Sequence, residues 1–405
     1  MSKVQTEAWP EYRFLPRNWW VLLLQAAQMA HDYRKLLIAL GGLLLLMGLG
    51  HRLNPPETAT DPSSQPLVPG LPDLLADPVA AWKVSVQHTN DLWLLPIQAV
   101  QALIKPHDGW LPWTYAVLRA LGTGVVLVLM GAAIGRIAAH DVAGRPRPRL
   151  AEALKFSTRH ARTLFLTILS PTLGIGTLAL LCAFFGLFFR LPAPYGVWIG
   201  GALAVFPLLL AIPMALLVLG LMIGWPLMVM TVAAESEDRY EALSRAYSYT
   251  YRRLGRYLVL VAAAWLIGSV GWLVAVSVAR LVLSLGVWGM SLGGPGTVVR
   301  ELFAGSTTTA EAAPPLAGML PGFWQRALKL LAYSWIFSYF WCAVAAIYMI
   351  LRRDVDGASY SLVDGRIEEH PRTPPKLTQV EAVPSAGQAA QTVASQDSPP
   401  SGLLR

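Results

Sequence analysis

The chain has 405 residues, of which 55% are hydrophobic and only 14% are charged, whereas about a quarter of an ordinary soluble domain is charged. This composition excludes an ordinary soluble globular domain. The formal net charge of +8 is also typical of nucleic-acid-binding proteins. Basic loops between membrane spans explain it more simply, so we expect no nucleic-acid partner.

Long apolar runs recur along the chain, and each is long enough to cross a hydrocarbon core of about 30 Å as a helix. Helices are expected because an unpaired backbone group is costly in lipid, and the alternating pattern of a membrane β-barrel is absent. The sequence therefore predicts an all-α polytopic transmembrane bundle of about six spans, with interfacial amphipathic helices.

The first apolar stretch, from Asn18 to about Gly50, is too long for one span. Polar residues of its first part share one helical face, namely Gln25, Gln28, Asp32 and Lys35. A polar stripe beside apolar and aromatic residues is typical of an interfacial helix. We therefore predict a cytoplasmic segment with an interfacial helix over residues 1–35, followed by the first span over 36–50.

The other five spans are predicted over residues 111–134, 163–189, 212–232, 257–285 and 328–351. Three prolines interrupt the apolar block 191–233, namely Pro207, Pro213 and Pro226. Because proline kinks a helix, we interpret residues 195–210 as a re-entrant or interfacial piece before the fourth span. One kinked span across the block is the alternative.

Lysine and arginine are unevenly distributed between the two sides of the predicted membrane. Of the 32 such residues, 23 lie in four segments on one side, namely 1–35, 136–162, 233–256 and 352–405. Five lie in the opposite loops. Basic loops stay in the cytoplasm, so we expect a bacterial cytoplasmic membrane protein with both termini cytoplasmic.

The remaining segments follow from that orientation. The outer loops are 51–110, with a surface helix near 90–103, and 286–327, and the cytoplasmic loops are 135–162 and 233–256. The tail from Arg352 is rich in Pro, Ser and Gln, and we expect it to be largely disordered after about residue 370 because such segments cannot bury enough apolar surface.

Both cytoplasmic loops carry a basic amphipathic pattern, in LAEALKFSTRHAR (150–162) and YEALSRAYSYTYRRLGRY (240–257). The cations concerned are Lys155, Arg159, Arg162, Arg245, Arg252 and Arg256. Each cation near the surface can gain about 1 kcal/mol from anionic lipid. These residues are therefore candidate contacts with the inner leaflet, and the alternative is that the helices only join spans.

The two loops and the spans before them match at an offset of 89 residues, at which Glu152 corresponds to Glu241. The offset also superimposes two GxxxG pairs, formed by Gly131, Gly135, Gly220 and Gly224. This spacing is typical of closely packed membrane helices. An internal duplication of spans 2–3 and 4–5 stays open, because 136–141 is polar where 225–230 is apolar.

Three stretches carry a resemblance, namely MGAAIGRIAA, EALKFSTRHA and GWPLMVMTVAAESEDRYEALSRAYSY. They resemble a group of uncharacterised bacterial multi-pass membrane proteins and, more remotely, the membrane domain fused to some bacterial glycerophosphodiester phosphodiesterases. The likeness covers about residues 115–350. It implies a six-helix membrane domain and transfers no catalytic residue, because the phosphodiesterase chemistry belongs to a separate soluble domain.

Five cations lie inside or near the outer ends of the predicted spans, namely Arg119, Arg190, Arg280, Arg326 and Lys329. Ionisable residues within a membrane are functional candidates, so these are candidate contacts for a lipid headgroup or another anion. Arg119 lies deepest, about 12 Å from the outer end of its span at 1.5 Å per residue. The alternative is that these long side chains extend to the headgroups.

Several chemistries are disfavoured by the sequence. No Asp or Glu lies within any predicted span, which disfavours transport coupled to protons or sodium through a carboxylate. No HExxH motif is present, and Cys182 and Cys342 lie in apolar spans, where cysteine is usually a small buried hydrophobe. We expect no enzyme activity, no metal and no cofactor.

These observations favour a non-enzymatic accessory, scaffold or lipid-organising protein. Its expected partners are membrane lipids with anionic headgroups, together with a membrane protein or a second copy of the chain. The alternative is an uncoupled transporter or flippase for an anionic lipid or small anion. In that case Arg119 and the proline-containing fourth span would line the path.

Overall fold

The computed structural model describes residues 19–53, 82–87, 110–192, 194–235, 238–296, 298–299 and 315–357, and four single positions, 79, 94, 98 and 101. The described residues are overwhelmingly helical, and none of them forms a strand, which confirms the all-α prediction. The predicted disordered tail and most of the predicted surface helix near 90–103 lie outside the described residues.

The described helices follow in chain order. They are α1 (Trp19–Met29), α2 (Tyr33–Leu53), α3 (Trp110–Val142), α4 (Leu150–Arg159), α5 (Ala161–Gly186), α6 (Tyr195–Leu203), α7 (Val205–Glu235), α8 (Arg239–Arg252), α9 (Leu254–Gly293) and α10 (Pro315–Asp356). A 3₁₀ turn, Leu187–Arg190, extends α5.

Five described helices are long and apolar enough to cross a membrane, namely Trp110–Val142, Ala161–Arg190, Val205–Glu235, Leu254–Gly293 and Phe323–Asp356. The chain is therefore a multi-pass membrane protein. The predicted first span corresponds to α2, whose 21 residues extend about 30 Å at 1.5 Å per residue. Its role as a sixth span stays a prediction.

The structure corrects the prediction for the fourth span. After the short helix α6, α7 runs unbroken from Val205, so no re-entrant piece extends to residue 210. Pro207 lies in the first turn, where a helix needs no internal N–H bond, while Pro213 and Pro226 lie inside the helix. Prolines are tolerated inside membrane helices because neighbouring groups can satisfy the backbone carbonyls that proline leaves without a donor.

Other helices also extend beyond the predicted spans. α3 continues to Val142 and α7 to Glu235, so the two helices include Asp141 and Glu235. The predicted spans themselves contain no carboxylate, and these two lie beyond them, at the helix ends. In the predicted outer loop 286–327, α9 continues to Gly293 and α10 begins at Pro315.

The central element of the bundle is α10. Every residue from 334 to 352 is buried, and α1, α2, α3, α7, α8 and α9 all pack against this helix. A helix that is apolar on all faces is expected to be enclosed in this way. The last of the described helices thus holds earlier helices together.

Burial is concentrated toward one end of the long helices. We call this end the packed half and define it as residues 123–142 of α3, 161–171 of α5, 220–235 of α7 and 332–352 of α10, which include the buried residues of those helices. The opposite end, which we call the open half, exposes large apolar side chains. The segments that the sequence assigns to the cytoplasm adjoin the packed half.

All four glycines of the GxxxG pairs lie at contacts between helices. A β-carbon on Gly131 would overlap the ring of Trp341, and one on Gly220 would overlap the ring of Tyr247. The remaining two glycines face Met230 and Thr250, with a β-carbon 2.9 Å from Sδ at Gly135 and 3.2 Å from Oγ1 at Gly224. Close backbone approach at these positions therefore depends on the absence of a side chain.

The helix order long–short–long occurs twice, as α3–α4–α5 and as α7–α8–α9. The short helices begin at Leu150 and Arg239, which are 89 positions apart, the same offset that relates the two sequence segments. The matching order and starting points are what a duplication predicts.

Both short helices fold back onto the long helix that precedes them. Ser157 on α4 donates a hydrogen bond of 2.5 Å to the carbonyl of Leu129, and Tyr247 on α8 donates one of 3.0 Å to the carbonyl of Leu217. The small apolar residues of the two helices are fully buried, namely Ala153, Ala242 and Ala246. One side of each helix therefore packs on protein, while Tyr240 and Tyr251 of α8 stay exposed.

The first helix also packs into the bundle. Leu23 and Ala26 of α1 are fully buried, and the helix lies against α9 and α10. Ser338 of α10 donates a hydrogen bond of 3.0 Å to the carbonyl of Ala30, directly after α1. This helix has a side that packs on protein, and its place at the membrane interface stays a prediction.

Part of the predicted first outer loop reaches the middle of α9. Residues 82–87 are helical, and Ser85 is fully buried, with its hydroxyl donating a hydrogen bond of 2.5 Å to the carbonyl of Ser269. Ser269 lies fifteen residues from the start of α9, or about 22 Å along the axis. This segment therefore contacts the bundle through Ser85, while Lys83 and Gln87 stay exposed.

Substitution of Gly131 by alanine should destabilise the protein by about 1–3 kcal/mol, because the new methyl group overlaps the buried Trp341 ring. Gly124→Ala is the matched control on the same helix, since nothing lies within 4 Å of its β-carbon position. Thermal unfolding in nanodiscs should show a lower Tm for Gly131→Ala only. Equal effects of the two variants would contradict the packing argument.

Candidate functional site

A buried ion pair joins the start of α2 to the end of α3. Lys35 is 0% exposed, and its Nζ lies 2.5 Å from Oδ2 of Asp141. The same ammonium donates a hydrogen bond of 3.0 Å to the carbonyl of Met29. The other oxygen of Asp141, Oδ1, accepts a bond of 2.5 Å from Nε of Arg147, whose side chain is about half exposed. Asp141 therefore receives one buried and one surface cation.

A second buried carboxylate, Glu235, ends α7. Nε of Arg352 lies 2.8 Å from its Oε1, and both side chains are almost completely buried. Tyr348 and Arg245 donate further hydrogen bonds to the same carboxylate. Arg245 also bonds to Glu241, at 2.5 Å. Glu235 thus ties α7 to α8 and to the central helix α10.

The positions of the two carboxylates explain why they need these partners. Each lies in the last turn of a long helix, where the helix dipole already places partial negative charge. A buried carboxylate is stable there only if cations and hydrogen-bond donors surround it. Lys35 and Arg352 supply that charge from other helices.

Two polar contacts lie beside the Glu235 cluster. Nε of Arg256, at the start of α9, lies 2.7 Å from Oδ2 of Asp354, and the hydroxyl of Tyr249 donates a hydrogen bond to Asp356. Burial raises the pKa of the Tyr249 phenol well above its usual value, and the hydrogen bond to Asp356 raises it further. Tyr249 therefore stays a protonated donor at neutral pH.

We call the clusters around Asp141 and Glu235, with these two contacts, the basic-end ion network. Within it the charged groups bind one another: carboxylates accept from cations, and tyrosines donate to carboxylates. Such an arrangement neutralises buried charge and fixes helix ends. The ion pairs and hydrogen bonds of the network hold helix ends together, and we expect the packed half to be rigid for that reason.

The predicted inner-leaflet contacts separate into two groups. Four side chains are exposed, namely Lys155, Arg159, Arg162 and Arg252. Arg256 is also accessible, although it pairs with Asp354. Arg245 is corrected, because its guanidinium is directed to Glu235 and Glu241 within the protein and not to lipid.

The predicted outer cations differ in burial. Arg119, Arg190 and Arg326 are exposed, whereas Arg280 and Lys329 are partly buried. Whether they bind a lipid headgroup stays a prediction.

The position of Arg119 on α3 bears on the transport alternative. Gly135 marks the face of α3 that contacts Met230 of α7. Arg119 is sixteen residues earlier, which places it about 160° around the helix from Gly135 at 3.6 residues per turn. Arg119 therefore lies on the side of α3 away from α7. Arg119 and the proline-containing helix α7 do not line one shared path, as the transport alternative would require.

Sequence reasoning missed the basic-end ion network. Asp141 and Glu235 fell in predicted loops, because the spans were ended where hydropathy drops. The available signal was the helix dipole: a carboxylate at a C-terminal helix end is unfavourable alone, so each carboxylate required a cation elsewhere. Lys35 and Arg352 begin and end apolar segments and were the candidates for that role.

Replacing Glu235 by glutamine should cost about 3–5 kcal/mol of folding free energy, because the buried Arg352 loses its counter-charge. The matched control is Asp354→Asn, which removes the carboxylate paired with the more exposed Arg256 and should cost less than about 1 kcal/mol. Thermal unfolding in nanodiscs measures both. If Glu235→Gln lowers the Tm no more than the control does, the Glu235–Arg352 pair does not stabilise the packed half.

Comparison of the sequence and structure with models of known families, with curated proteins and with solved structures gives no match. The resemblance noted from the sequence therefore stays a prediction. Function must be argued from the distribution of charge, burial and exposure in the described residues.

Proposed function

We propose that this chain is a non-enzymatic scaffold or accessory protein of a bacterial cytoplasmic membrane that organises lipid or a partner membrane protein. Both termini are placed in the cytoplasm. Scaffolds need a rigid body and accessible contact surfaces, and the packed and open halves of the bundle supply these two elements.

One observation carries the proposal: the central helix is enclosed on all sides from residue 334 to residue 352. A carrier needs polar groups that are free to hold cargo along a path. In the packed half the charged groups around Asp141 and Glu235 hold one another instead. This arrangement supports a static body over a route through it.

Orientation in the membrane is supported by charge. The start of α2, the middle of α8 and the C-terminal ends of α3, α7 and α10 carry the basic-end ion network, and the cation-rich segments of the sequence adjoin this face. The positive-inside rule places such a face in the cytoplasm. The exposed cations of α4, Lys155 and Arg159, would then lie near anionic headgroups, where each adds about 1 kcal/mol.

Mass spectrometry of the protein extracted into lipid nanodiscs with its surrounding membrane tests the proposal. We expect a stoichiometric membrane-protein partner or a second copy to co-purify, and a lipid profile that is the same for Arg119→Ala as for the native chain. Arg326→Ala is the matched control, since Arg326 is another exposed arginine of a long helix.

The opposite result would favour transport. One anionic lipid that is strongly enriched on the native chain and on the Arg326→Ala variant, but lost from the Arg119→Ala variant, would mark Arg119 as a headgroup site. Absence of any stoichiometric partner would count against the scaffold.

Reporter fusions test the orientation separately. Two reporters are fused in turn at each site, one that is active only in the cytoplasm and one that is active only outside it. At a site within residues 54–78 we expect activity only from the outside reporter. At a site between α3 and α4 we expect activity only from the cytoplasmic reporter. The same location for both sites would overturn the orientation.

A further inference from the structure

The open halves of α5 and α7 form a hairpin whose two helices contact each other along one narrow seam. Phe185 stacks on Phe206 with ring centroids 5.3 Å apart, and Cys182 donates to the carbonyl of Pro207. Residues outside the seam are exposed around both helices. Leu180 and Leu208, which point away from it, are 74% and 70% exposed.

The face of α7 that packs on α3 becomes exposed farther along the helix. Met230 is fully buried against Gly135. Ile212 is eighteen residues earlier, five full turns, and so lies on the same face, yet it is 59% exposed. Leu219, three turns from Met230, is 49% exposed. Contact between α7 and α3 therefore ends within the membrane.

The facing side of α3 shows the same change. Gly135 lies against Met230, whereas Gly124, about three turns earlier on the same face, has nothing within 4 Å of its β-carbon position. Leu121, one turn farther, is 63% exposed. A crevice thus lies between the open halves of α3 and α7 and closes at the Gly135–Met230 contact.

The chemistry of the hairpin indicates what surrounds it. The exposed side chains in the open half of α7 are mostly large and apolar, whereas membrane helix interfaces favour small and polar residues. The hydroxyls of Thr172 and Thr177 are already used, since they donate to the carbonyls of Ile168 and Leu173 in their own helix. These threonine hydroxyls are therefore not available as donors to a partner helix.

Charge at the two ends of the hairpin fits a lipid environment. Arg162 and Arg190 are exposed and lie 28 positions apart in the sequence, which is about 42 Å at 1.5 Å per residue. A bilayer with its headgroups is about 40–45 Å thick. Between the two arginines α5 carries no charged residue. The cations therefore stand at the levels of the two headgroup layers.

We propose that the crevice between α3 and α7 is a lipid-binding site, occupied by the acyl chains of lipids from the leaflet that surrounds the open half. The ligand is a bilayer lipid held by its chains, not by a headgroup. The inference goes beyond the proposed function, because it stands whether or not a partner protein co-purifies.

Spin labels in the full-length protein test this site in nanodiscs of phosphatidylethanolamine and phosphatidylglycerol. In a Cys182→Ala background, with the buried Cys342 retained, labels are placed through Ile212→Cys and Leu219→Cys, with Met230→Cys as the buried control. We expect oxygen, which dissolves in lipid, to reach the first two labels several-fold more than the control. A water-soluble nickel chelate should reach none of the three.

Two results would overturn the inference. Labels at Ile212 and Leu219 as shielded from oxygen as the control would mean that protein fills the crevice, and access of the nickel chelate would mean that water does. Gly124→Phe separates a crevice from an open lipid-facing surface. This ring enters free space opposite Leu219 and should lower oxygen access several-fold there but leave a label at Leu180→Cys unchanged. No change at Leu219 would contradict the crevice.

Discussion

Asp141 and Glu235 each end a long membrane helix and are shielded from water, at the point where the helix dipole already concentrates negative charge. A buried carboxylate left alone there would cost several kcal/mol. Lys35, at the start of α2, pairs with Asp141, and Arg352, near the end of α10, pairs with Glu235. Because these partners are far apart in sequence, pairing them determines which helix ends come together. The enclosure of α10 and the folding back of α4 and α8 accompany that arrangement.

The two long–short–long units use this constraint in a similar way. In each, the first long helix ends near a buried carboxylate, and an arginine from the segment that follows, Arg147 or Arg245, binds the same group. The second partner always comes from outside the unit. A duplicated pair of units would therefore not be self-sufficient, since the N-terminal and C-terminal helices complete the charge balance. This dependence explains why the ends of the described bundle are built into its core.

Hydropathy was sufficient to predict the helical class and the approximate positions of five long apolar helices, because lipid leaves the backbone few alternatives. Hydropathy did not predict where the helices end, since Asp141 and Glu235 are polar residues that helices carry once cations surround them. The amphipathic pattern of α8 did not show whether its apolar residues contact protein or lipid. In the structure Ala242 and Ala246 are buried within the protein. The start of the fourth span was predicted too late because Pro207 is compatible with the first turn of a helix as well as with a break.

The open half of the hairpin formed by α5 and α7 leaves large apolar side chains such as Leu180 and Leu208 exposed, although α8 also contacts it at the carbonyl of Leu217. Its orientation is therefore set by the bilayer more than by the bundle. A helix pair longer than the local hydrocarbon thickness accommodates the mismatch by tilting, at a fraction of a kcal/mol per Å. Thinning or thickening of the membrane would be taken up by tilt of this hairpin, while the ion-paired half keeps its geometry. The tilt of the hairpin formed by α5 and α7 would then change with membrane thickness.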